Sequence, residues 1–368
     1  MASGYRFIEQ PFNESDLTAR YTALLEEVIT KFAERQSMDK SGHTISPGTL
    51  PDVSTEDLLG GLDFSKPFFL HLGYENPHVP LFVGVDYEGN SRRGFFGDSV
   101  QEMDASIGRI YTALERGGLL EDTLIVFTSD NGAWVNPSNG LNSGRPVKGM
   151  GPYDGGSNAP FYEGKGSTWE GGFRVPLLVS WPGTIPAGQV IRSPVTAMDL
   201  FPTFLEAAQQ PLPEGVSLDG VSLMDLLTSR GPVQDPHECI YLWREHALYS
   251  IRCGQYKAHF MTRSGFDFQD PGQTHDPPLL FNVEWDPAES KPLNTSQAEY
   301  ALIAKELTRA AQAHVDSITP YPSVYLAQNL SRVPCCPRGG GGEVDGAGRA
   351  ELMEGPWRDC LCPRIIHN

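Results

Sequence analysis

The apolar positions of this chain fall into two rhythms. From Thr123 to Thr128 six residues, Thr-Leu-Ile-Val-Phe-Thr, carry no charge and are rich in β-branched and aromatic side chains. Such a run predicts a strand covered on both faces. Residues 66–74, Lys-Pro-Phe-Phe-Leu-His-Leu-Gly-Tyr, predict a second strand, and 177–181, Leu-Leu-Val-Ser-Trp, a third. Helical spacing appears first at Leu17, Tyr21, Leu24, Leu25, Val28, Ile29 and Phe32, entered from Asn13 to Asp16. It returns after Asp98, which has Gln101 three residues on as a capping box. There Val100, Met103, Ile107, Ile110 and Leu114 predict a buried face, and Gly117-Gly118 an end. Strand, loop, helix and strand in that order predict a βαβ crossover and a parallel sheet.

Residues 36–64 are polar and predict a surface connection, and a helix is expected over 198–208. Between them, 133–166 is long, irregular and crowded with Gly, Pro, Asn and Ser, which marks a functional or disordered loop. After the Pro- and Gly-rich segment 210–220 the rhythm shortens. Strands are predicted over 241–245, 249–253, 256–262 and 279–285, the second and third forming a hairpin across Gly254. Ser296, with Glu299 three residues on, opens a long amphipathic helix to Ile318. The expectation is an α/β catalytic part over 1–209, a small antiparallel sheet with one helix over 210–334, and a Gly- and Cys-rich tail over 335–368.

Composition narrows the function. With 28 Lys+Arg against 46 Asp+Glu the formal charge is -18, which argues against nucleic acid as a partner. No run reaches the roughly 18 apolar residues of a membrane helix, and no apolar segment of a signal peptide follows Met1. Four of the six cysteines, Cys335, Cys336, Cys360 and Cys362, crowd the tail, leaving Cys239 and Cys253. Their spacing suits a zinc knot poorly and a disulfide-tied tail in an oxidising compartment better. Sequons at Asn13, Asn294 and Asn329 agree with a secretory-pathway lumen.

The candidate chemistry sits at strand ends, where open α/β sheets gather ligands. Asp130-Asn131-Gly132 follows the 123–128 strand. It reads either as a turn or as two hard oxygen ligands for Ca²⁺ or Mg²⁺. His78 follows the 66–74 strand, and Lys165 stands between two glycines ahead of Arg174. Each alone has an ordinary explanation as a surface, turn or solvated residue. Brought to one rim, they would make the metal-bound cationic pocket that a phosphate or sulfate ester needs as charge builds on its oxygens.

These stretches resemble the sulfatase family, nearest the steroid sulfatase and arylsulfatase group. Thr128-Ser-Asp-Asn-Gly132 is similar to its second metal-binding motif. The segment Glu163-Gly-Lys-Gly-Ser-Thr-Trp-Glu-Gly-Gly-Phe-Arg-Val-Pro176 is similar to its Gly-Lys…Glu-Gly-Gly-x-Arg-x-Pro block. Pro67-Phe-Phe-Leu leading to His78 resembles the catalytic-histidine strand and loop. Gln10-Pro-Phe-Asn, Asp276-Pro-Pro-Leu-Leu-Phe281 and Cys335-Cys336-Pro337 resemble the steroid-sulfatase branch. The resemblance implies an alkaline-phosphatase-like fold and hydrolysis of a small aryl, steroid or glycolipid sulfate. It makes Asp130 and Asn131 ligands of Ca²⁺, Lys165 the contact to the sulfate oxygens, and His78 the partner of the ester oxygen. His259 would lie at the substrate mouth.

One departure weighs against turnover. The family's nucleophile is a formylglycine made from the cysteine of Cys-x-Pro-Ser-Arg, and no cysteine here precedes Pro-Ser-Arg. The paired early aspartates of the calcium shell and the membrane hairpin of the steroid-sulfatase branch are also missing. The chain is therefore expected to begin midway through the catalytic domain and to be inactive alone. The rival expectations are a non-catalytic partner of a full-length sulfatase and, lower, a zinc phosphatase or phosphodiesterase of the same superfold.

Overall fold

The computed structural model describes residues 13–41, 62–135, 155–265, 267 and 269–319, together with two short strands, β1 (Ala2–Ser3) and β2 (Arg6–Phe7), paired antiparallel. The chain divides into two units, and every element described below belongs to the one formed by Ser15–Thr44 and Phe64–Ile318.

Helix α1 (Leu17–Ser41) buries Leu17, Val28, Ile29 and Phe32, the stripe its periodicity announces. It runs past the polar boundary expected at Gln36. Helix α2 (Gly94–Arg116) packs against it and closes on Gly117-Gly118, whose amides bond back to Ala113 and Glu115. Its buried residues are Asp98, Ser99, Glu102, Ser106 and Leu114. Of the apolar face expected here, only Leu114 is fully covered, and Val100 is exposed. The polar seam is satisfied by remote partners. Thr22 and Tyr74 hydroxyls meet Ser106 Oγ at 2.5 and 2.7 Å. Asp98 accepts the amides of Gly89 and Ser91, and Glu102 that of Gly84. Asp98 therefore clamps a preceding loop instead of capping the helix, which starts at Gly94.

Residues 66–74 form no ladder, so the predicted strand and the βαβ crossover built on it are not found. Strand β3 (Ile125–Thr128) pairs instead with β4 (Leu177–Ser180), antiparallel, with Thr128 opposite Leu177. Every ladder among the described residues is antiparallel. Among the described residues the pair has no further strand beside it, and Leu178 on β4 and Phe69 in the 66–74 segment stay 60% and 73% exposed. Between them in sequence lies α3 (Glu170–Phe173), and α4 (Leu200–Ala207) and α5 (Met224–Thr228) follow.

The last layer follows its reading, except that the strand expected over 279–285 runs Gln273–Asn282. Strands β5 (Ile240–Arg244), β6 (Ala247–Cys253), β7 (Tyr256–Thr262) and β8 (Gln273–Asn282) form one antiparallel sheet in chain order. Gly254 turns the β6–β7 hairpin with φ +55°. Helix α6 (Ala298–Ser317) lies on the sheet, and Ala304, Leu307 and Ala311 pack on Ile251, Ala258 and Leu280. The three share one face at three- and four-residue intervals, and the small Ala304 and Ala311 let the helix approach closely around the larger Leu307. Leu307→Ala is expected to cost about 2–3 kcal/mol, the low end for Leu→Ala because the small neighbours can close in; urea unfolding measures it. A disulfide joins Cys239 to Cys253, 14 residues apart, across the β5–β6 pair. The tail cysteines lie outside the described residues.

Candidate functional site

Strand β3 delivers Thr128, whose hydroxyl bonds Pro176 O at 3.0 Å, and then turns sharply. Ser129 Oγ donates to Asn131 O at 2.9 Å, which shapes the turn that sequence alone left open. Asp130 is exposed and Asn131 half-buried; the Asn131 amide nitrogen donates to Asp130 Oδ1. Gly132 then meets α3 at backbone distance. Its N–H bonds Gly172 O at 2.9 Å, and a Cβ there would lie 1.7 Å from Gly171 O. Only glycine fits that approach.

Ala133 continues the junction. Its carbonyl accepts the amide of Lys165 at 3.1 Å and the Asn158 side chain at 3.1 Å. Asn158 also accepts the Ala133 N–H at 2.9 Å and donates to Glu163 O at 3.0 Å. One asparagine thus staples the end of β3 to the glycine-rich loop. Within that loop Glu163 takes φ +61° and Gly166 φ +90°. Gly171 bonds back to Tyr162 O, and Ser167 to Gly164 O through both N–H and Oγ. The Lys165 backbone is consequently one hydrogen bond from Ala133, three residues past Asp130. Lys165 is half-buried and has no ion pair among the described residues.

His78 stands apart. It lies exposed in a loop with cis bonds at Pro77 and Pro80, anchored on α1 and α2 through Glu75–Tyr21, Asn76–Thr18 and Tyr74–Ser106. Its Nδ1 is 2.7 Å from Val79 O. A carbonyl only accepts, so Nδ1 carries the hydrogen and Nε2 is the nitrogen left for chemistry. Among the described residues no hydrogen bond or ion pair links His78 to Asp130, Asn131 or Lys165.

His259 is not at an opening. It is fully buried in β7, its Nε2 2.7 Å from Glu289 Oε1 and its ring 4.3 Å from that of Trp169. Burial holds its pKa below the usual imidazole value despite the Glu289 partner. Around it lies a buried ionic cluster that no sequence motif announced. Lys257 Nζ reaches Glu170 at 3.0 Å and Glu289 at 3.1 Å; Arg252 reaches Glu170 at 3.2 Å. Arg174 adds a longer contact to Glu170 and lies over the Phe161 ring, which turns it away from the role considered for it at the rim. Burial pushes Glu289 toward the neutral acid, yet His259 and Lys257 hold it below the usual carboxylate range.

Asp130 and Asn131 have the oxygen chemistry of a calcium site but not its number. Ca²⁺ takes six to eight oxygens, and one of theirs already receives the Asn131 amide. No group of three or more His, Cys, Asp or Glu able to hold a metal occurs among the described residues. The described residues do not by themselves fit the ion. A cavity of about 610 Å³ beside α4, lined by Pro202, Glu206, Leu212, Val216 and Val221, contains none of these groups.

Comparison with known proteins gives these turns a context. The sulfatase family profile matches residues 19–210, and one for the C-terminal region of aryl-sulfatase matches 235–341. Steryl-sulfatase of Homo sapiens is 33% identical over 365 residues, covering 92% of this chain and 56% of the relative. N-acetylgalactosamine-6-sulfatase of Sus scrofa is 36% identical over 286 residues, covering 70% and 52%. The chain spans about half the length of these relatives. Among solved structures, PsFucS1 sulfatase from Pseudoalteromonas sp. aligns with a TM-score of 0.66 at 26% identity, covering 87% of this chain and 57% of that one. Ps i-CgsB aligns with a TM-score of 0.56 at 27% identity, covering 86% and 60%.

Proposed function

The chain belongs to the sulfatase family, with its alkaline-phosphatase-like α/β fold, and on that premise we propose that it furnishes the sulfate-handling half of a sulfuric-ester hydrolase site. Lys165 contacts the sulfate oxygens and offsets the charge that gathers there. His78, protonated at Nε2 as well as at Nδ1, donates from Nε2 to the ester oxygen and supplies the proton that the leaving alkoxide takes. Asp130 and Asn131 would lend two of the six to eight oxygens that Ca²⁺ takes, and the described residues do not supply the rest. The observation that supports the reading is the backbone junction Gly132–Gly172 and Ala133–Lys165, which ties the Lys165 main chain to the strand end that carries Asp130 and Asn131.

Residues 1–209 form the catalytic part in this reading, 210–334 the supporting subdomain, and 335–368 a tail. The nucleophile is the missing element. Without Cys-x-Pro-Ser-Arg no formylglycine can be made from this polypeptide, and these 368 residues alone do not turn over sulfate esters. The relatives' names share the sulfate ester and differ in its alcohol, so aryl, steroid and glycolipid sulfates all remain within the class. The Cys239–Cys253 disulfide supports a secretory-pathway lumen. A second reading, a non-catalytic partner of a full-length sulfatase, is favoured by the exposed Leu178 on a strand pair that no third strand extends among the described residues.

Expression in a secretory host tests both parts. An aryl sulfate should give no product, and turnover would refute the inactive reading. Titration with inorganic sulfate, followed by amide NMR, should perturb residues 164–167 and lose that response in Lys165→Ala. A response that survives the substitution removes Lys165 from the sulfate site.

A further inference from the structure

We infer that Glu289 is a positioning residue for Lys165: its carboxylate pins the start of α3 to the β5–β8 layer and thereby fixes the loop that carries the lysine. The inference rests on the proposed role of Lys165, but its geometry is independent of it.

Helix α3 has only four residues, and Trp169 ahead of it supplies no side-chain cap. A donor left without an intrahelical partner at its start is the buried Glu170 N–H, and Glu289 Oε2 accepts it at 2.6 Å across 119 residues of sequence. The other oxygen, Oε1, receives Lys257 Nζ and His259 Nε2. Glu289 is held in place by a left-handed backbone, φ +50°, in a turn closed by its own N–H to Asp286 O. A non-glycine residue keeps that conformation only where its surroundings insist. The two residues before Glu170 are held by the same layer. Thr168 O accepts Ser250 Oγ, and the Trp169 ring lies against His259. Three consecutive residues are thus fixed from below, while Lys165 and Gly171 are tied to Ala133 and Tyr162 on the other side. Gly265, after β7, closes the remaining flank: a Cβ on it would lie 2.5 Å from Lys165 O.

Both oxygens of Glu289 act as acceptors, so glutamine cannot replace it. Whichever way its amide is turned, an NH₂ faces either the Glu170 N–H or the Lys257 ammonium. The test is hydrogen exchange read residue by residue, with no sulfate present. In Glu289→Gln the amides of Lys165, Ser167 and Gly171 should exchange roughly tenfold to a hundredfold faster, as expected for a local opening. Those of Ile125 to Thr128 should keep their rates. Glu289→Asp keeps the charge but reaches only one of its two sets of partners, and should fall between. Leu307→Ala, which weakens the same layer without touching the pin, should leave the loop-to-strand ratio of rates unchanged. The His259 ¹⁵N shifts add a signature: the Nε2–H tautomer in the parent and a changed tautomer balance in Glu289→Gln. Unchanged protection at 165–171, or one common factor across all amides, overturns the inference. Loss of the sulfate response with intact loop protection would instead count against Lys165 as the sulfate contact.

Discussion

Lys257→Met is expected to lower stability by roughly 3–5 kcal/mol, the loss that follows when one partner leaves a buried ion pair. Lys257 has no solvent-exposed surface and touches two carboxylates, Glu170 and Glu289, both nearly buried. Methionine fills the volume of the stem and leaves the acids behind. Glu170 retains Arg252 and the longer Arg174 contact, whereas Glu289 retains, among the described residues, only neutral His259 and the Glu170 N–H. Against a typical domain stability of about 5–15 kcal/mol, a loss of this size leaves a marginal protein. Denaturant unfolding at neutral pH measures it.

The same substitution should change how stability depends on pH. In the parent, His259 is held below its ordinary 6.5. The unfolded chain therefore takes up a proton below that pH while the folded one does not, and stability falls as pH drops. Glu289, held below its ordinary 4.5, adds stability that is full above that value and is lost as pH falls through its folded value. Glu102 and Glu163 oppose this, because burial raises both, and the cost of keeping them ionised disappears in acid. Lys257 is one cause of the depression at both His259 and Glu289. Without it both groups bind protons more readily in the folded state. The destabilisation of Lys257→Met should accordingly shrink between pH 7 and pH 5, and a deficit that stays constant or grows would contradict the cluster as described.

How much of this was legible in the sequence depends on where each group finds its partner. β7, the β6–β7 hairpin and the helix on the sheet were readable because alternation and 3.6-residue spacing are local signals. The α2 face was misread for the converse reason. Asp98, Glu102 and Ser106 look solvated in sequence, and only remote amides and hydroxyls make their burial tolerable. Strand direction failed likewise: 66–74 has a strand's composition, but a ladder needs a neighbour, and β3 finds its own in β4. Asp130, Asn131 and Lys165 stood out by their place at a strand end and in a glycine-rich loop, and a resemblance of motifs assigned their proposed roles. Asn158 and Glu289 were not, since what they bind is main chain, which carries no residue-specific signal. His259 was expected at a mouth and lies inside because Trp169 and Glu289 close over it.

Gly132→Ala should be the most damaging change at the site itself. The added Cβ would sit 1.7 Å from Gly171 O and 2.7 Å from Gly171 C. Both are main-chain atoms, and neither can swing aside as a flexible side chain would. The cost is set at or beyond the upper end of the roughly 1–3 kcal/mol typical of overpacking, because two backbone segments must part. Their separation breaks the Gly132–Gly172 hydrogen bond and strains the Ala133–Lys165 bond one residue on. Asp130 and Lys165 would then lose the main-chain link that joins the turn after β3 to the glycine-rich loop. Gly108→Ala is the matched control: it lies in α2 with nothing within 4 Å of the new Cβ, and a helical Gly→Ala there should stabilise by about 0.5–1 kcal/mol. Thermal unfolding should separate the two substitutions by sign, and sulfate titration should find the response at 164–167 kept in Gly108→Ala and lost in Gly132→Ala. A folded Gly132→Ala protein with the parent's sulfate response would mean that the junction does not place Lys165, since the lysine would then hold its position with the contact to β3 broken.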